Sequence, residues 1–233
     1  MLIGIFGNLG SGKGLTQTML SWLYKHRKNA FIACNYKNTI ADLILSAEEI
    51  LLQIPTIGKG YSLKGIFLDE LGGILTATDW YSDINTILGT IFRESRKRGC
   101  DIIYTSQSPM MVDRNVRRIT DIVLLPEYNP KNNKVKIEIH ESRGIYWIKD
   151  SDLTFDGKLY FDIYDTNEII LPNKIAIKNY YVDKALNDPT LLEELSKVNS
   201  KNDRIEQITF YMNIKTKLAK LVLLDIQKLL VVP

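Results

Sequence analysis

Residues 4–16 read GIFGNLGSGKGLT, and Gly7, Gly12 and Lys13 satisfy the spacing G-x-x-x-x-G-K. That spacing suits one kind of chemistry. Glycines let successive backbone N–H groups turn inward onto a phosphate, a following helix adds the N–H groups of its first turn, and the lysine ammonium reaches the outer phosphates. The expected cradle is Gly7, Asn8, Leu9, Gly10, Ser11, Gly12, Lys13, Gly14 and Leu15. The usual pattern continues with Ser or Thr, whose hydroxyl reaches magnesium, but position 14 is glycine. Magnesium keeps several waters, so a water can take that place at some cost in affinity. Thr16, half a turn further on, is the other hydroxyl to consider for the metal, although its spacing is not a clean substitute.

A phosphate loop needs a partner elsewhere in the chain: an apolar strand ending in an acid that holds magnesium through water. Ile66-Phe67-Leu68-Asp69-Glu70 has that form, with Asp69 for the metal and Glu70 as the general base that polarises the attacking water. In ATPases with a catalytic glutamate, a further strand lies between these two and ends in a polar sensor. Ile102-Ile103-Tyr104-Thr105-Ser106-Gln107 fits it, with the Gln107 amide placed to touch both the outer phosphate and the water.

These residues must be held by alternating strands and helices. Apolar strands are expected at Leu2–Phe6, Ala30–Tyr36, Ile66–Asp69, Asp101–Ser106 and Asp121–Leu125. Helices are expected at Leu15–Lys28, at Ile40–Ile54 (ended by Pro55) and from Trp80 to Lys97. Such alternation implies an α/β fold with a mostly parallel sheet flanked by helices. After Pro126 the pattern changes. Asn129-Pro130-Lys131-Asn132-Asn133 separates two alternating runs, an added β-hairpin, and Gly144–Ile148 and Lys158–Tyr164 are further strand-like pieces. From Tyr181 the chain reads as a helical C-terminal tail whose last segment carries an apolar stripe at Tyr211, Ile214, Leu218, Leu221 and Leu229, interrupted by Asp225. The domain division read from this is 1–180 and 181–233.

The chain of 233 residues carries a net charge of only +3, so total charge does not announce a nucleic-acid partner. Cys34 and Cys100 lie far apart in apolar contexts and read as core residues of a protein in a reducing compartment. His26 and His140 are isolated in sequence, which argues against a zinc site. No run approaches the ~20 apolar residues of a membrane span, and Leu2–Phe6 reads as strand rather than leader. The expectation is a soluble, cytoplasmic protein.

The stretches GNLGSGK, IFLDE and YTSQSPMMVDRNVRRITD together resemble the FtsK/HerA superfamily of DNA-pumping P-loop ATPases. The similarity is closest to the viral and plasmid branch that holds genome-packaging ATPases and Zot-like assembly proteins. Val112-Asp113-Arg114-Asn115-Val116-Arg117 matches that branch's V-D-x-x-[IV]-R segment, and Tyr164-Asp165-Thr166 is similar to a feature of the Zot-like group. The resemblance covers residues 1–170 and implies an ASCE, RecA-like fold, ATP and Mg2+ as cofactors, and a homo-oligomeric ring, a hexamer by expectation. Ring ATPases complete each site with a neighbour's arginine, for which Arg93, Arg96 and Arg117 are candidates. Arginines at 93–98 could instead complement a helix C-terminus.

The function so implied is an ATP-driven translocase of double-stranded DNA, foremost a viral genome-packaging motor. DNA would be gripped through its phosphates, with Lys59 and Lys64 of one loop and Lys131, Lys134 and Lys136 of the hairpin as possible contacts. The alternatives are a Zot-like virion-assembly or export ATPase, a conjugative DNA-transfer ATPase, or an ATP-binding switch whose hydrolysis Gly14 impairs. A viral coat or membrane protein is a further expected partner.

Overall fold

Five consecutive buried residues, Leu2–Phe6, form the strand β1 from which the phosphate loop springs. The computed structural model describes residues 1–54, 56–71, 92, 95, 97, 99–143, 146–164, 174–198, 200–212 and 216–230. After β1 come α1 (Lys13–Lys28), β2 (Phe31–Cys34), β3 (Leu43–Ile44), α2 (Ala47–Gln53), β4 (Lys64–Leu68), β5 (Cys100–Ser106), α3 (Arg114–Ile119), β6 (Ile122–Asn129), β7 (Lys134–Arg143) and β8 (Tyr146–Asp156). A single 3-10 turn, Gly157–Tyr160, follows β8. Four further helices follow among the described residues: α4 (Lys174–Leu186), α5 (Pro189–Lys197), α6 (Lys201–Met212) and α7 (Thr216–Leu230).

The strands make one eight-stranded sheet in the order β3-β2-β4-β5-β1-β6-β7-β8. All pairings from β3 through β6 are parallel, and β6-β7-β8 form an antiparallel meander. This is the α/β architecture expected, with β5 lying between β1 and β4. The register sets Phe6 opposite Ser106 and Leu68 opposite Tyr104. Consequently Gly7, Asp69 and Gln107 all leave the sheet at the same C-terminal edge, where ligands of open α/β sheets bind. Ile5, Ile32, Phe67 and Ile103 are fully buried and join Leu15, Met19 and Ile137 in one core cluster. Each such side chain contributes about 1.5–3 kcal/mol of burial.

Two local expectations change. The run from Ile40 is not one helix. Leu43–Ile44 adds to the sheet edge beside β2, and α2 starts only at Ala47, after Ser46. Ser46 and Glu49 form a reciprocal capping box, which is a stronger start signal than the apolar periodicity upstream. Residues 158–164 are not a strand either. The chain turns at Gly157–Tyr160, with the Asp156 carboxylate accepting from Lys158 N, then crosses back to a lone antiparallel bridge between Tyr164 and Asn38. The expected helix Trp80–Lys97 lies outside the described residues apart from Phe92, Ser95 and Lys97.

Helix α1 buries more than the apolar face its sequence suggests. Thr16, Gln17, Thr18 and Ser21 are also buried, their hydroxyls donating to carbonyls of the helix itself and the Gln17 amide to Ile103 O. The described residues fall into two compact units, the sheet with its helices and the helices from Lys174 on. In the second unit the buried stripe of α7 is Leu218, Ala219, Val222, Leu223 and Ile226, one step round from the expected one, and Tyr211 of α6 is exposed. Asp225 is accommodated by an ion pair with Lys178 of α4.

Candidate functional site: a phosphate loop facing an acidic pair

The loop between β1 and α1 closes on itself through Ser11 N donating to Asn8 O at 3.2 Å. Gly12 caps the helix at φ 92°, and a Cβ there would lie 3.1 Å from Tyr128 Cβ and 3.3 Å from Val135 Cγ1. Only glycine meets both demands, so the hairpin packs directly against the loop. No side chain caps α1 and its first turn carries no acid, which leaves its leading N–H groups for a ligand. Among the described residues the Ser11 hydroxyl is buried with no partner. An orphaned hydroxyl and uncapped amides around a glycine-lined concavity fit a phosphate chain.

Lys13 is 7% exposed, and its ammonium donates to Gly7 O at 2.9 Å and Asn8 O at 3.1 Å. It therefore lies back over the loop rather than out in solvent. Leu9 at the loop tip is 79% exposed. Lys13, Gly14, Leu15, Asp69 and Glu70 share a cavity of about 610 Å³, closed on another side by Tyr128, Phe161 and Tyr164.

Asp69 is only 9% exposed and is held from several directions. Thr105 of β5 donates to its carboxylate, while the Asn35 amide accepts from Asp69 N at 2.7 Å and donates to Asp69 O at 3.1 Å. The same Thr105 oxygen accepts from Glu70 N at 2.9 Å. Glu70 has φ 50°, left-handed backbone that a non-glycine residue rarely adopts. Burial pushes the Glu70 carboxyl above its ordinary value, the Asp69 charge adds to this, and the Lys13 ammonium partly offsets it. A carboxylate with a raised affinity for protons suits a general base.

Among the described residues no cluster of three or more His, Cys, Asp or Glu could hold a metal alone. A single buried carboxylate such as Asp69 would hold magnesium only together with phosphate oxygens and water, the usual arrangement for that ion. Thr16 does not fit: it is fully buried and its hydroxyl donates to Gly12 O at 2.9 Å, so the helix rather than the cavity uses it. Gln107 follows β5 as expected, level with Gly7, but is exposed and outside the cavity lining. Arg93 and Arg96 lie outside the described residues. Arg117 sits on α3 away from the phosphate loop, its guanidinium donating to Met110 Sδ at 3.1 Å. With Arg114, Arg118, Met110 and Trp147 it lines a separate cavity of about 640 Å³.

Sequence reasoning assigned no site role to Asn35, Thr105, Tyr128 or Phe161, and none to Tyr164 beyond a family likeness. Thr105 was legible as the penultimate polar residue of a strand flanking the acidic one. The aromatic wall was not, because it is assembled from β6 and from the turn after β8, more than a hundred residues from the loop.

Among solved structures, the chain is similar to the N-terminal domain of zonular occludens toxin from Neisseria meningitidis, with TM-score 0.53 and 20% identity, over 70% of this chain and 98% of that one. The DNA-packaging ATPase B204 from Sulfolobus Turreted Icosahedral Virus aligns with TM-score 0.46 and 11% identity, over 64% and 96% of the two chains. A KaiC-like protein from Pyrococcus horikoshii aligns with TM-score 0.47 and 12% identity, over 66% and 84%. No protein-family model matches the chain, and no curated protein matches it in sequence. The chain has the RecA-like P-loop fold, a mostly parallel sheet flanked by helices, extended by an antiparallel hairpin and C-terminal helices.

Proposed function

We propose that this protein is a magnesium-dependent ATPase that works as a ring motor on double-stranded DNA, with viral genome packaging as its foremost task. The observation that carries the reading is the grouping of Lys13, Asp69 and Glu70 around one cavity at the end of three adjacent parallel strands. Glu70 beside a phosphate site is equipment for activating water, not for presenting a second phosphate as a kinase does.

In this mechanism the α1 amides, the Ser11 hydroxyl and Lys13 hold the phosphates. Lys13 exchanges its bonds to Gly7 O and Asn8 O for phosphate oxygens. Magnesium, when bound, would neutralise developing charge on the phosphates, and Asp69 would hold it, with Thr105 fixing the carboxylate and Asn35 fixing the Asp69 backbone. Glu70 takes the proton of the attacking water, and Gln107, exposed just beyond β5, would have to turn into the cavity to sense the outer phosphate. Arg117 acts on the neighbouring subunit's site, consistent with its separation from its own loop. Exposed Lys131, Lys134 and Lys136 on the hairpin, with Lys59, offer phosphate contacts to duplex DNA. No helix among the described residues is long and apolar enough to cross a membrane.

Steady-state ATP turnover with magnesium, with and without duplex DNA, tests this. Turnover should rise with DNA and fall about 10²–10⁴-fold in Glu70→Gln. Nucleotide binding without turnover would establish the ATP-binding switch instead. Turnover indifferent to DNA would favour a Zot-like assembly or export ATPase, a reading supported by the Tyr164-Asp165-Thr166 sequence.

A further inference from the structure

The glycine at position 14 is the one departure of the phosphate loop from its usual pattern, and the structure shows what stands in that place. A Cβ built on Gly14 would lie 2.6 Å from Tyr164 Cε1, 2.7 Å from Cζ and 2.8 Å from Oη. The intruder is the hydroxyl end of a phenol ring, not backbone and not an apolar side chain. We propose that Tyr164 supplies from outside the loop the hydroxyl that residue 14 lacks, as a positioning residue for the magnesium–nucleotide complex. The inference rests on the nucleotide site described above.

Four observations carry it. Gly14 and Tyr164 line one cavity with Lys13, Asp69 and Glu70, so the phenol belongs to the same space as the residues that would hold phosphate and metal. The ring is held in place: it packs edge-on against the fully buried Tyr36, with centroids 5.4 Å apart at 85°. Its backbone is tied to Asn38 by an antiparallel bridge, and Thr39 N donates to Ile163 O at 3.1 Å. Finally, the hydroxyl nearest in sequence, Thr16, is engaged with Gly12 O and fully buried.

A phenol is both donor and acceptor, so Oη can accept from a metal-bound water or donate to a phosphate oxygen. Magnesium's preference for retained waters makes such an outer contact sufficient. The ring and a side chain at position 14 cannot occupy this space together. Glycine is therefore the residue the tyrosine requires, rather than a lesion in the loop.

The test is equilibrium binding of a fluorescent, non-hydrolysable ATP analogue to the full chain, in millimolar magnesium and in EDTA. Tyr164→Phe keeps the ring and removes only the hydroxyl. It should lose about tenfold of the affinity gained from magnesium, with affinity in EDTA within about twofold of wild type. Gly14→Thr alone should weaken binding in both buffers, because its side chain meets the ring. Gly14→Thr with Tyr164→Ala should recover the magnesium gain. The inference falls if Tyr164→Phe keeps the wild-type magnesium gain, which would mean ring packing only, or loses affinity equally in both buffers, which would mean a hydroxyl contact independent of magnesium. If wild type binds no analogue in either buffer, the nucleotide site itself is refuted along with the inference.

Discussion

Glu70 occupies left-handed backbone at φ 50°, a conformation that costs a non-glycine residue about 1–3 kcal/mol and persists only when neighbours hold it. Here the restraint is visible: Thr105 accepts from Glu70 N, and the preceding residue is pinned at both its N–H and its carbonyl by Asn35. Burial and the Asp69 charge together raise the Glu70 pKa, with Lys13 opposing. The sign follows directly. Folding favours the protonated carboxyl, so this group's contribution to stability is full below the unfolded glutamate value and is lost as pH rises through the higher folded value. The ionised form needed for proton abstraction accordingly gains population with rising pH. A carboxyl-carbon NMR titration of Glu70 should show a midpoint above the ordinary glutamate range, and Asp69→Asn should lower it. A midpoint that does not move in Asp69→Asn would remove Asp69 from the explanation and leave burial alone.

At the level of elements, the segment before Pro55 shows how two signals compete. Apolar residues from Ile40 onward have helical spacing, yet Leu43 and Ile44 pair with Ala33 and Cys34 at the sheet edge. Helix α2 begins where Ser46 and Glu49 can cap each other reciprocally. Ser46→Ala should cost about 1 kcal/mol in denaturant unfolding, the usual cost of a lost N-cap, without touching the cavity. A larger loss would show that the cap also positions the β3 edge. The hairpin is the opposite case. Its alternation and its Asn-Pro turn were readable, but not its contact with the phosphate loop, where Val135 and Tyr128 press on Gly12. That contact depends on β6 joining the sheet beside β1, a pairing across more than a hundred residues that no local pattern encodes.

At the scale of the whole molecule, β5 between β1 and β4 brings the loop, the acidic pair and the polar strand end to one edge. Arg117 is left outside this grouping, beside Arg114, Arg118 and Trp147. An arginine so placed serves catalysis only if another copy brings its phosphate site to it. Arg117→Ala and Glu70→Gln subunits should each be inactive as pure assemblies and regain partial turnover when mixed, because one variant keeps the base and the other the arginine. Mixtures as inactive as their components would exclude Arg117 from that role.

What the sequence determined by itself was the candidate site residues and their scaffold: a glycine loop between strand and helix, an acidic pair closing a strand, and alternation that demands a parallel sheet. These are legible because they are local, set by backbone freedom at glycines, side-chain periodicity and the distance between neighbouring residues. The tertiary structure alone decided which hydroxyls and rings surround the phosphate loop. Thr16 is withdrawn into its own helix by a bond one turn back, and Tyr164 arrives from the far side of the hairpin to fill the space that Gly14 leaves. Excluded volume between residues so far apart in the chain has no signature in composition or spacing, and it exists only once the sheet has folded.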